Sequence, residues 1–257
     1  MKAMEIPPTH PRYNSLIRRE LLAKGVEEGL VHMTGLIAHG RGEAFDYLIG
    51  ERTIDAAYEA EKVAVAALLM ARNPVISVNG NTAVLAGKEV IELAKEIGAK
   101  IEVNIFHRTR ERIEKLVNYM KNLGAEKVYG LEEDARIPNL NQPRAICSKE
   151  GIFSADVVLV PLEDGDRCEA LVRMGKIVIA IDLNPLSRTS RTATITIVDD
   201  VTRALRNMTN IARELKSMPR ESLNELVHNF NNKKNLQKVL DHICERLRTL
   251  YRFEEDV

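Results

Sequence analysis

The sequence predicts an α/β fold, a doubly wound and mostly parallel sheet of about six strands. The first observation is a set of short apolar runs, at 75–79, 101–106, 127–129, 156–160, 177–181 and 194–198. The second is a helical pattern between most of these runs, at 84–97, 109–123 and 166–174. Buried parallel strands are continuous in Val and Ile, and helices must cross over between them. Together the two patterns indicate a Rossmann-like sheet.

Helical patterns flank this sheet on both sides. A helix is predicted within the first ~30 residues, because apolar residues such as Leu22 and Val26 share one stripe. An alanine-rich helix follows at 54–71, and its small side chains would permit close packing against a sheet or another helix, which is one reason to expect a homodimer. Beyond Asp199 the apolar spacing is helical to the end of the chain. We therefore expect one α/β domain over 1–257. It consists of an N-terminal helical part (1–72), a Rossmann-like core (73–200) and C-terminal helices (201–257).

Composition and charge exclude several classes of protein. The chain has 257 residues, of which 45% are hydrophobic and 29% charged, so a sizeable core can form. Lys plus Arg and Asp plus Glu each total 37, and this zero net charge argues against coating nucleic acid. No apolar run reaches the roughly 18 residues that span a bilayer, and the N-terminus lacks a signal-peptide core. We expect a cytoplasmic protein that does not bind a membrane.

Two further features of composition bear on compartment and habitat. The cysteines, Cys147, Cys168 and Cys244, are odd in number and far apart, which predicts neither a disulfide framework nor a metal knuckle. Glutamine occurs only twice, at Gln142 and Gln237, while Glu, Lys and Arg are abundant. Thermophilic proteins have a similar bias against thermolabile amides.

Polar residues follow the predicted strands, where an open α/β sheet binds its ligand. These residues are Asn79 and Asn81, His107 and Arg108, Glu163 and Asp164, the segment 182–189, and the pair Asp199 and Asp200. Loops are polar in any case, so this placement indicates a site without proving one. The longest irregular segment, 130–153, contains two prolines and several charges and is interpreted as an active-site or interface loop.

Neither common nucleotide fingerprint is present. No GxGxxG opens a helix, and the segment from Gly80 to Lys88 has six residues between its glycines instead of four. Glu89 stands where a phosphate loop has Ser or Thr. Lys88 is therefore interpreted as a surface helix residue, and any nucleotide must be held in a less common way.

The segment His39-Gly40-Arg41-Gly42-Glu43 is more informative. Glycines beside an arginine let backbone N–H groups approach an anion while the guanidinium binds it in a planar fork. We interpret the segment as a glycine-flanked turn that binds an anion, although a connecting turn with a solvated Arg41 is also possible. Arg18 or Arg19 on the first helix could face the same anion.

Acidic residues allow three interpretations. Glu163, Asp164 and Asp166 follow one strand, and Asp199 and Asp200 follow another. Such pairs could hold Mg²⁺ on a polyphosphate or accept ribose hydroxyls. Asp199 and Asp200 also suit the start of the next helix. The sequence has no HExxH motif, no metal-spaced His/Cys cluster and no nucleophile elbow, so we expect no resident metal and no serine triad.

Five segments together resemble one enzyme family. They are HPRYNSLIRRE, GLIAHGRGEAFDYLIGERT, NPVISVNGN, ADVVLVPLEDGDRCEALVRMGK and IDLNPLSRTSRTATITIVDD. The chain resembles the archaeal-type 4-phosphopantoate–β-alanine ligases, also called phosphopantothenate synthetases, from His10 to its last helices. The resemblance implies an acid–amino-acid ligase of coenzyme A biosynthesis, active as a homodimer. It would use ATP, with Mg²⁺ on the nucleotide, to join 4-phosphopantoate to β-alanine and release AMP and pyrophosphate.

The resemblance also implies roles for individual residues. The positions expected to contact ATP are Arg19, Arg41, Asp182, Leu183, Asn184, Ser187, Arg188, Thr189, Asp199 and Asp200. Arg19 and Arg41 would stabilise charge at phosphorus, and Glu163, Asp164 and His107 are candidate bases for the β-alanine ammonium. Asn79, Asn81, His107 and Arg108 are expected to bind the other substrates. The alternatives are an NAD(P)-dependent dehydrogenase on the same sheet and a non-catalytic ATP-sensing module.

Overall fold

A computed structural model describes residues 6–250 of the chain. The first and last residues of the predicted domain, 1–5 and 251–257, therefore lie outside the described part. The described residues form the following strands: β1 (Pro74–Val78), β2 (Lys100–Val103), β3 (Val128–Tyr129), β4 (Ala135–Arg136), β5 (Ile146–Cys147), β6 (Val157–Pro161), β7 (Ile177–Ile181) and β8 (Ile195–Ile197).

Six of these strands form one parallel sheet in the order β3-β2-β1-β6-β7-β8. This confirms the predicted doubly wound fold, and each of the six strands falls on one of the predicted apolar runs. The chain runs outward from β1 to one edge and then from β6 to the other. The order thus reverses between β1 and β6, which is where folds of this class leave a crevice for a ligand.

Helices cover both faces of the sheet and extend beyond its edges. They are α1 (Tyr13–Glu27), α2 (Met33–Ile49), α3 (Asp55–Met70), α4 (Gly80–Ile97), α5 (Arg110–Asn122), α6 (Gly165–Arg173), α7 (Arg188–Thr192), α8 (Val201–Leu215), α9 (Arg220–His228) and α10 (Asn232–Thr249). Within residues 6–250, no helix combines the length and the apolar character needed to cross a membrane.

Side-chain caps explain where several helices begin. The side-chain oxygen Oδ1 of Asn79 accepts a hydrogen bond from Thr82 N at 3.0 Å and so caps α4 directly after β1. The Asn79 amide donates to the carbonyl oxygens of Pro161 and Leu162, at 3.1 and 3.0 Å. Leu162 adopts a left-handed backbone (φ 55°), which turns the chain sharply after β6. Asn79 therefore joins the two strands between which the sheet order reverses.

The alanine-rich helix α3 belongs to the core of the chain. Ala57, Ala60, Ala64 and Ala66 are each 0% exposed, and the helix packs against α8, α9 and β8. Small side chains permit this close packing, as the sequence analysis expected. The surface of α3 is consequently used within the chain, and its alanines cannot serve as the reason for expecting a homodimer.

The segment His39–Glu43 is helical, so its interpretation as a glycine-flanked turn was wrong. Gly40, Arg41 and Gly42 lie inside α2, which continues unbroken from Met33 to Ile49. A glycine costs a helix only about 1 kcal/mol relative to alanine, and tertiary packing readily offsets this. Here Ile49 is fully buried and Asp46 forms an ion pair with Arg203. The irregular stretch 130–153 was also only partly irregular, since it contains β4, β5, a 3₁₀ turn (Pro143–Ala145) and a π-helical turn (Lys149–Phe153).

Two glycine-to-alanine variants test this description. A Cβ on Gly40 would meet nothing within 4 Å, so Gly40→Ala should raise the free energy of unfolding by ~0.5–1 kcal/mol, the helix propensity gain. A Cβ on Gly80 would lie 2.3 Å from the Leu30 carbonyl oxygen, so Gly80→Ala should lower the free energy of unfolding by about 1–3 kcal/mol. Urea unfolding of both variants checks the pair. A destabilised Gly40→Ala protein would contradict the helical assignment.

Candidate active site

A cleft of about 780 Å³ lies at the carboxyl ends of the central strands. One wall is formed by the segments that follow β1, β6 and β7. The opposite wall is formed by α2 and by the first turn of α8. The cleft therefore lies at the reversal of strand order, the position at which doubly wound folds bind ligands.

Most of the residues predicted for the site line this cleft. From α2 and the ends of the strands come Arg41, Asn79, Asn81, His107, Glu163, Asp164, Asp182, Leu183, Asn184, Ser187, Thr189 and Asp200. Residues separated by more than 150 positions thus meet in one place, because the parallel strands end at the same edge of the sheet. Their roles toward a ligand stay predictions.

The remaining predicted residues, Arg19, Arg108, Arg188 and Asp199, do not line the cleft. Arg19 donates to Glu43 at 2.7 Å on the outer side of α1, and Arg108 donates to Glu133 at 2.9 Å. Arg188 forms ion pairs with Asp166 and Glu169 on α6. Asp199 is 1% exposed and accepts a hydrogen bond from Thr53. Of the two arginines on the first helix, it is Arg18 that lines the cleft.

Arg41 is the cleft arginine with the freest guanidinium. It projects from the exposed side of α2, and within residues 6–250 it has no carboxylate at ion-pair distance. The other arginines of the cleft are occupied: Arg18 pairs with Asp200 and Arg206 with Glu89, while Arg112 has no carboxylate partner in the described part of the chain but donates to the carbonyl oxygens of His107 and Leu30, both at 3.0 Å. An unpaired guanidinium keeps its donors available for the oxygens of an anion. Arg41 is thus the residue of the cleft best suited to bind phosphate.

Asp182 lies opposite, at the end of β7. It accepts hydrogen bonds from Asn184 N at 2.9 Å and from Ser187 Oγ at 2.5 Å. Burial raises the pKa of Asp182, and these hydrogen bonds and the nearby Arg41 oppose that rise. Ser187 also accepts from Ser190 N and caps the short helix α7. The loop 182–187 is therefore held rigidly against the floor of the cleft.

The end of β6 carries a buried ion triad. The side chain of Glu163 is 0% exposed and lies between two arginines, Arg144 and Arg167. Arg144 reaches both carboxylate oxygens, at 2.7 and 2.9 Å, and Arg167, which is fully buried, contacts one of them. Arg144 comes from the segment 130–153, which sequence reasoning marked as a long loop without identifying this residue. Only its position on a proline-containing loop could have drawn attention to it.

The contacts of this triad distinguish Glu163 from Asp164 as candidate bases. Both oxygens of Glu163 already accept hydrogen bonds from its two guanidinium partners, so neither is free to accept a proton from a substrate. Asp164 differs, because its side chain is 45% exposed although it pairs with Arg144 at 2.8 Å. Asp164 and His107 are therefore the candidates that remain accessible.

His107 forms part of a stacked pair of histidines at the mouth of the cleft. Its ring centroid is 3.5 Å from that of His32, with an interplanar angle of 21°. Partial burial and the positive charges of His32 and Arg112 lower the pKa of His107. The neutral imidazole is consequently the main form of His107 at neutral pH, and a neutral imidazole can accept a proton. His32 was not identified from the sequence.

The first turn of α8 forms the second charged region of the cleft. Asp200 caps the helix by accepting from Thr202 N and Arg203 N, at 3.0 and 3.2 Å. Arg203 donates to Asp199 and, with two nitrogens, to Asp46 at 2.6 and 3.1 Å. Asp200 thus has the capping role predicted for it, whereas Asp199 does not cap the helix but holds its first turn through the ion pair with Arg203.

The carboxylates do not combine into a metal site. No group of three or more His, Cys, Asp or Glu side chains in the described part of the chain could hold a metal ion. All five carboxylates considered for Mg²⁺ already have cationic partners, namely Glu163, Asp164, Asp166, Asp199 and Asp200. The interpretation of these pairs as protein ligands of Mg²⁺ is therefore not supported by their geometry.

The fold and its arginine-rich cleft define a Rossmann-type ligand-binding protein. Comparison with known proteins adds the family. The family model for phosphopantothenate/pantothenate synthetases matches residues 56–246. Proteins named 4-phosphopantoate–β-alanine ligase are similar over nearly the whole chain. That of Methanosarcina mazei is 55% identical over 96% of this chain and 97% of its own length. That of Thermococcus kodakarensis is 53% identical over 96% and 95%. The chain belongs to the phosphopantothenate/pantothenate synthetase family and is an enzyme.

The buried triad yields a stability prediction. Glu163→Gln keeps the shape of the side chain but leaves Arg144 and Arg167 without their shared charge, so it should destabilise the protein by ~3–5 kcal/mol. Asp164→Asn is the matched control, and with its half-exposed side chain it should cost less than about 1 kcal/mol. Both are measured by denaturant unfolding at pH 7. Equal stability of the two variants would show that the triad does not hold the site together.

Proposed function

We propose that this chain is an ATP-dependent 4-phosphopantoate–β-alanine ligase that forms 4′-phosphopantothenate by way of an acyl adenylate. The observation that carries the proposal is the unpaired Arg41 facing the Asp182–Asn184 loop across the cleft. This arrangement supplies a phosphate anchor and a polar rim for a nucleoside at the point where this fold binds ligands. The names of the similar proteins supply the two substrates to be joined.

The proposed reaction has two steps. A carboxylate oxygen of 4-phosphopantoate attacks the α-phosphorus of ATP, and the bond to pyrophosphate breaks. The β-alanine nitrogen, after losing a proton from its ammonium form, then attacks the acyl carbon, and AMP leaves with the electron pair of the acyl–oxygen bond. Adenylation is needed because a free carboxylate is too poor an acyl donor to form an amide.

Arg41 would bind the phosphates of ATP and stabilise the charge that develops at the α-phosphorus. Asp182, Leu183 and Asn184 would bind the nucleoside, with Ser187 and Thr189 holding their loop in place. Asp199 and Asp200 would act through α8, because Asp200 caps its first turn and Asp199 holds that turn through Arg203. Arg19 and Arg188, whose side chains pair outside the cleft, would need to change partners in order to contact ATP.

Asn79, Asn81 and His107 would bind 4-phosphopantoate and β-alanine on the other side of the cleft. His107 is the preferred proton acceptor for the β-alanine ammonium, because its imidazole is neutral at neutral pH and lies at the mouth of the cleft. Arg108 would act indirectly, since it fastens the loop after β3 by donating to the Gly130 carbonyl at 2.8 Å. Mg²⁺ would enter on the phosphates of ATP, neutralising their charge, with few or no ligands from the protein.

The products distinguish this mechanism from its alternatives. With ATP, 4-phosphopantoate and β-alanine, we expect one AMP and one pyrophosphate for each 4′-phosphopantothenate, measured by chromatography and a coupled pyrophosphate assay. Release of ADP and orthophosphate would instead indicate an acyl phosphate. ATP binding without turnover would indicate the sensing module, and a change in nicotinamide absorbance with NAD(P) would indicate the dehydrogenase.

Arg41 is the variant position that tests the phosphate site. Arg41→Ala removes a charge-assisted hydrogen bond worth ~1.5–3 kcal/mol, so kcat/KM for ATP should fall roughly 10- to 150-fold. Arg41→Lys keeps the charge but loses the planar fork, so its kcat/KM for ATP should also fall measurably. Steady-state kinetics is the measurement. The control is Arg213→Ala, because Arg213 is an exposed arginine of α8 that pairs with Glu96 of α4. Wild-type efficiency in Arg41→Ala would show that the phosphates bind elsewhere.

We also propose a cytoplasmic homodimer. The three cysteines are unpaired, as is usual in reducing compartments. Met33 and Ile37, one turn apart on α2, are 67% and 66% exposed, and such a surface suits a second copy of the chain. Light scattering should give twice the chain mass of 28.9 kDa. Ile37→Glu should shift the protein toward monomer, and a wild-type protein that is already monomeric at micromolar concentration would contradict the proposal.

A further inference from the structure

Glu61 is a fully buried carboxyl group in the middle of α3. It is 0% exposed, and within residues 6–250 it forms no ion pair. Its Oε1 accepts one long hydrogen bond, from Asn207 Nδ2 at 3.4 Å, and its Oε2 receives none. A buried carboxylate with so few donors would carry a large desolvation cost, so its surroundings must favour the neutral form.

Asp199 is the acidic neighbour of Glu61. Asn207 donates to both Glu61 and Thr53, Thr53 donates to Asp199, and the two carboxyl groups lie within hydrogen-bonding reach of each other. Asp199 has a cationic partner: Arg203 donates to its Oδ1 at 2.9 Å and Thr53 donates to its Oδ2 at 2.5 Å, and both contacts oppose the rise in the pKa of Asp199 that burial causes. Two adjacent carboxyl groups in a buried site repel each other unless one holds a proton. Since Asp199 has the cationic partner, the proton belongs on Glu61.

Arg203, the guanidinium beside Asp199, cannot also neutralise a third carboxylate. Arg203 is shared between Asp199 on one side and Asp46 on the other, both with good geometry. Asn207, the remaining polar neighbour on α8, also donates to Thr53 at 3.0 Å. The pKa of Glu61 is raised to about 9, chiefly by burial and secondly by the negative charge of Asp199.

We propose that Glu61 is a positioning residue, which as a neutral acid donates a hydrogen bond to Asp199 and so fixes Arg203 at the wall of the cleft. The inference rests on the proposed function, since it assumes that the cleft binds ATP. Arg203 and Thr202 line the cleft, and Asp200 in the same turn holds Arg18 at 2.7 Å. Ionisation of Glu61 would place a third carboxylate beside Arg203 and displace this turn.

Two substitutions separate the hydrogen bond from the charge. Glu61→Gln keeps the shape and a donor but cannot ionise, whereas Glu61→Leu removes the donor. Glu59→Gln, on the exposed side of the same helix, is the control. The readout is the dissociation constant of ATP by calorimetry between pH 7 and pH 10. Wild type should weaken about tenfold as pH rises through about 9, where Glu61 ionises.

The Gln variant should bind ATP as wild type does at pH 7, and it should not show the weakening of ATP binding near pH 9 that is attributed to Glu61. The Leu variant should bind about 3- to 10-fold more weakly at every pH, as expected for one lost hydrogen bond. An unchanged pH dependence in Glu61→Gln would overturn the positioning role while leaving the proposed function standing. A wild-type protein that does not bind ATP at all would overturn both.

Thermal melts give a second and independent readout. Unfolded glutamate releases its proton near pH 4.5, whereas folded Glu61 keeps it to about 9, so rising pH favours the unfolded chain across this interval. Glu61→Gln removes that penalty and should raise Tm at pH 8 by several degrees, with a smaller gain at pH 5. A lower Tm for Glu61→Gln at pH 8 would mean that Glu61 is ionised and bound to a cation, which contradicts the proposal.

Discussion

The cleft depends on the ion pairs that the carboxylate of Glu163 forms with Arg144 and Arg167. This carboxylate joins the end of β6 to α6, which carries Arg167, and to the 3₁₀ turn, which carries Arg144. Neither guanidinium could stay buried without it, because an uncompensated buried charge is far costlier than a lost surface pair. Asn79 then fastens the end of β1 to the same place. The point where the strand order reverses is thereby a rigid floor.

A second ionic network holds the opposite wall. Arg203 connects α8 to α2 through Asp46, and Arg18 connects α8 to α1 through Asp200. Both networks use their arginines internally, so these charges shape the cleft more than they attract a ligand. Arg41 is different because it has no carboxylate partner in the described chain. The proposed function is based on this difference between the paired arginines that build the walls and the unpaired Arg41 in the same cleft.

The sheet could be predicted from the sequence because its strands are continuous apolar runs, which only burial on both faces explains. Helix α2 was mistaken for a turn because glycine weakens a helix locally, while the packing that restores it involves the distant Arg203. Within the site, the residues that directly follow strands were found, since topology alone brings them together. Neighbouring positions could not be separated, because sequence does not show that Arg18 faces the cleft and Arg19 does not. Glu61 was hidden in an alanine-rich helix whose partners lie on α8.

Transfer of oxygen from the substrate carboxylate to the nucleotide tests the account most directly. 4-Phosphopantoate labelled with ¹⁸O in its carboxylate is incubated with the enzyme, ATP and β-alanine, and the nucleotide product is analysed by mass spectrometry. An acyl adenylate requires that AMP carry one ¹⁸O in its phosphoryl group, because the carboxylate oxygen stays with phosphorus when the amine attacks the acyl carbon. Unlabelled AMP, or label found in orthophosphate, would contradict adenylation in this cleft.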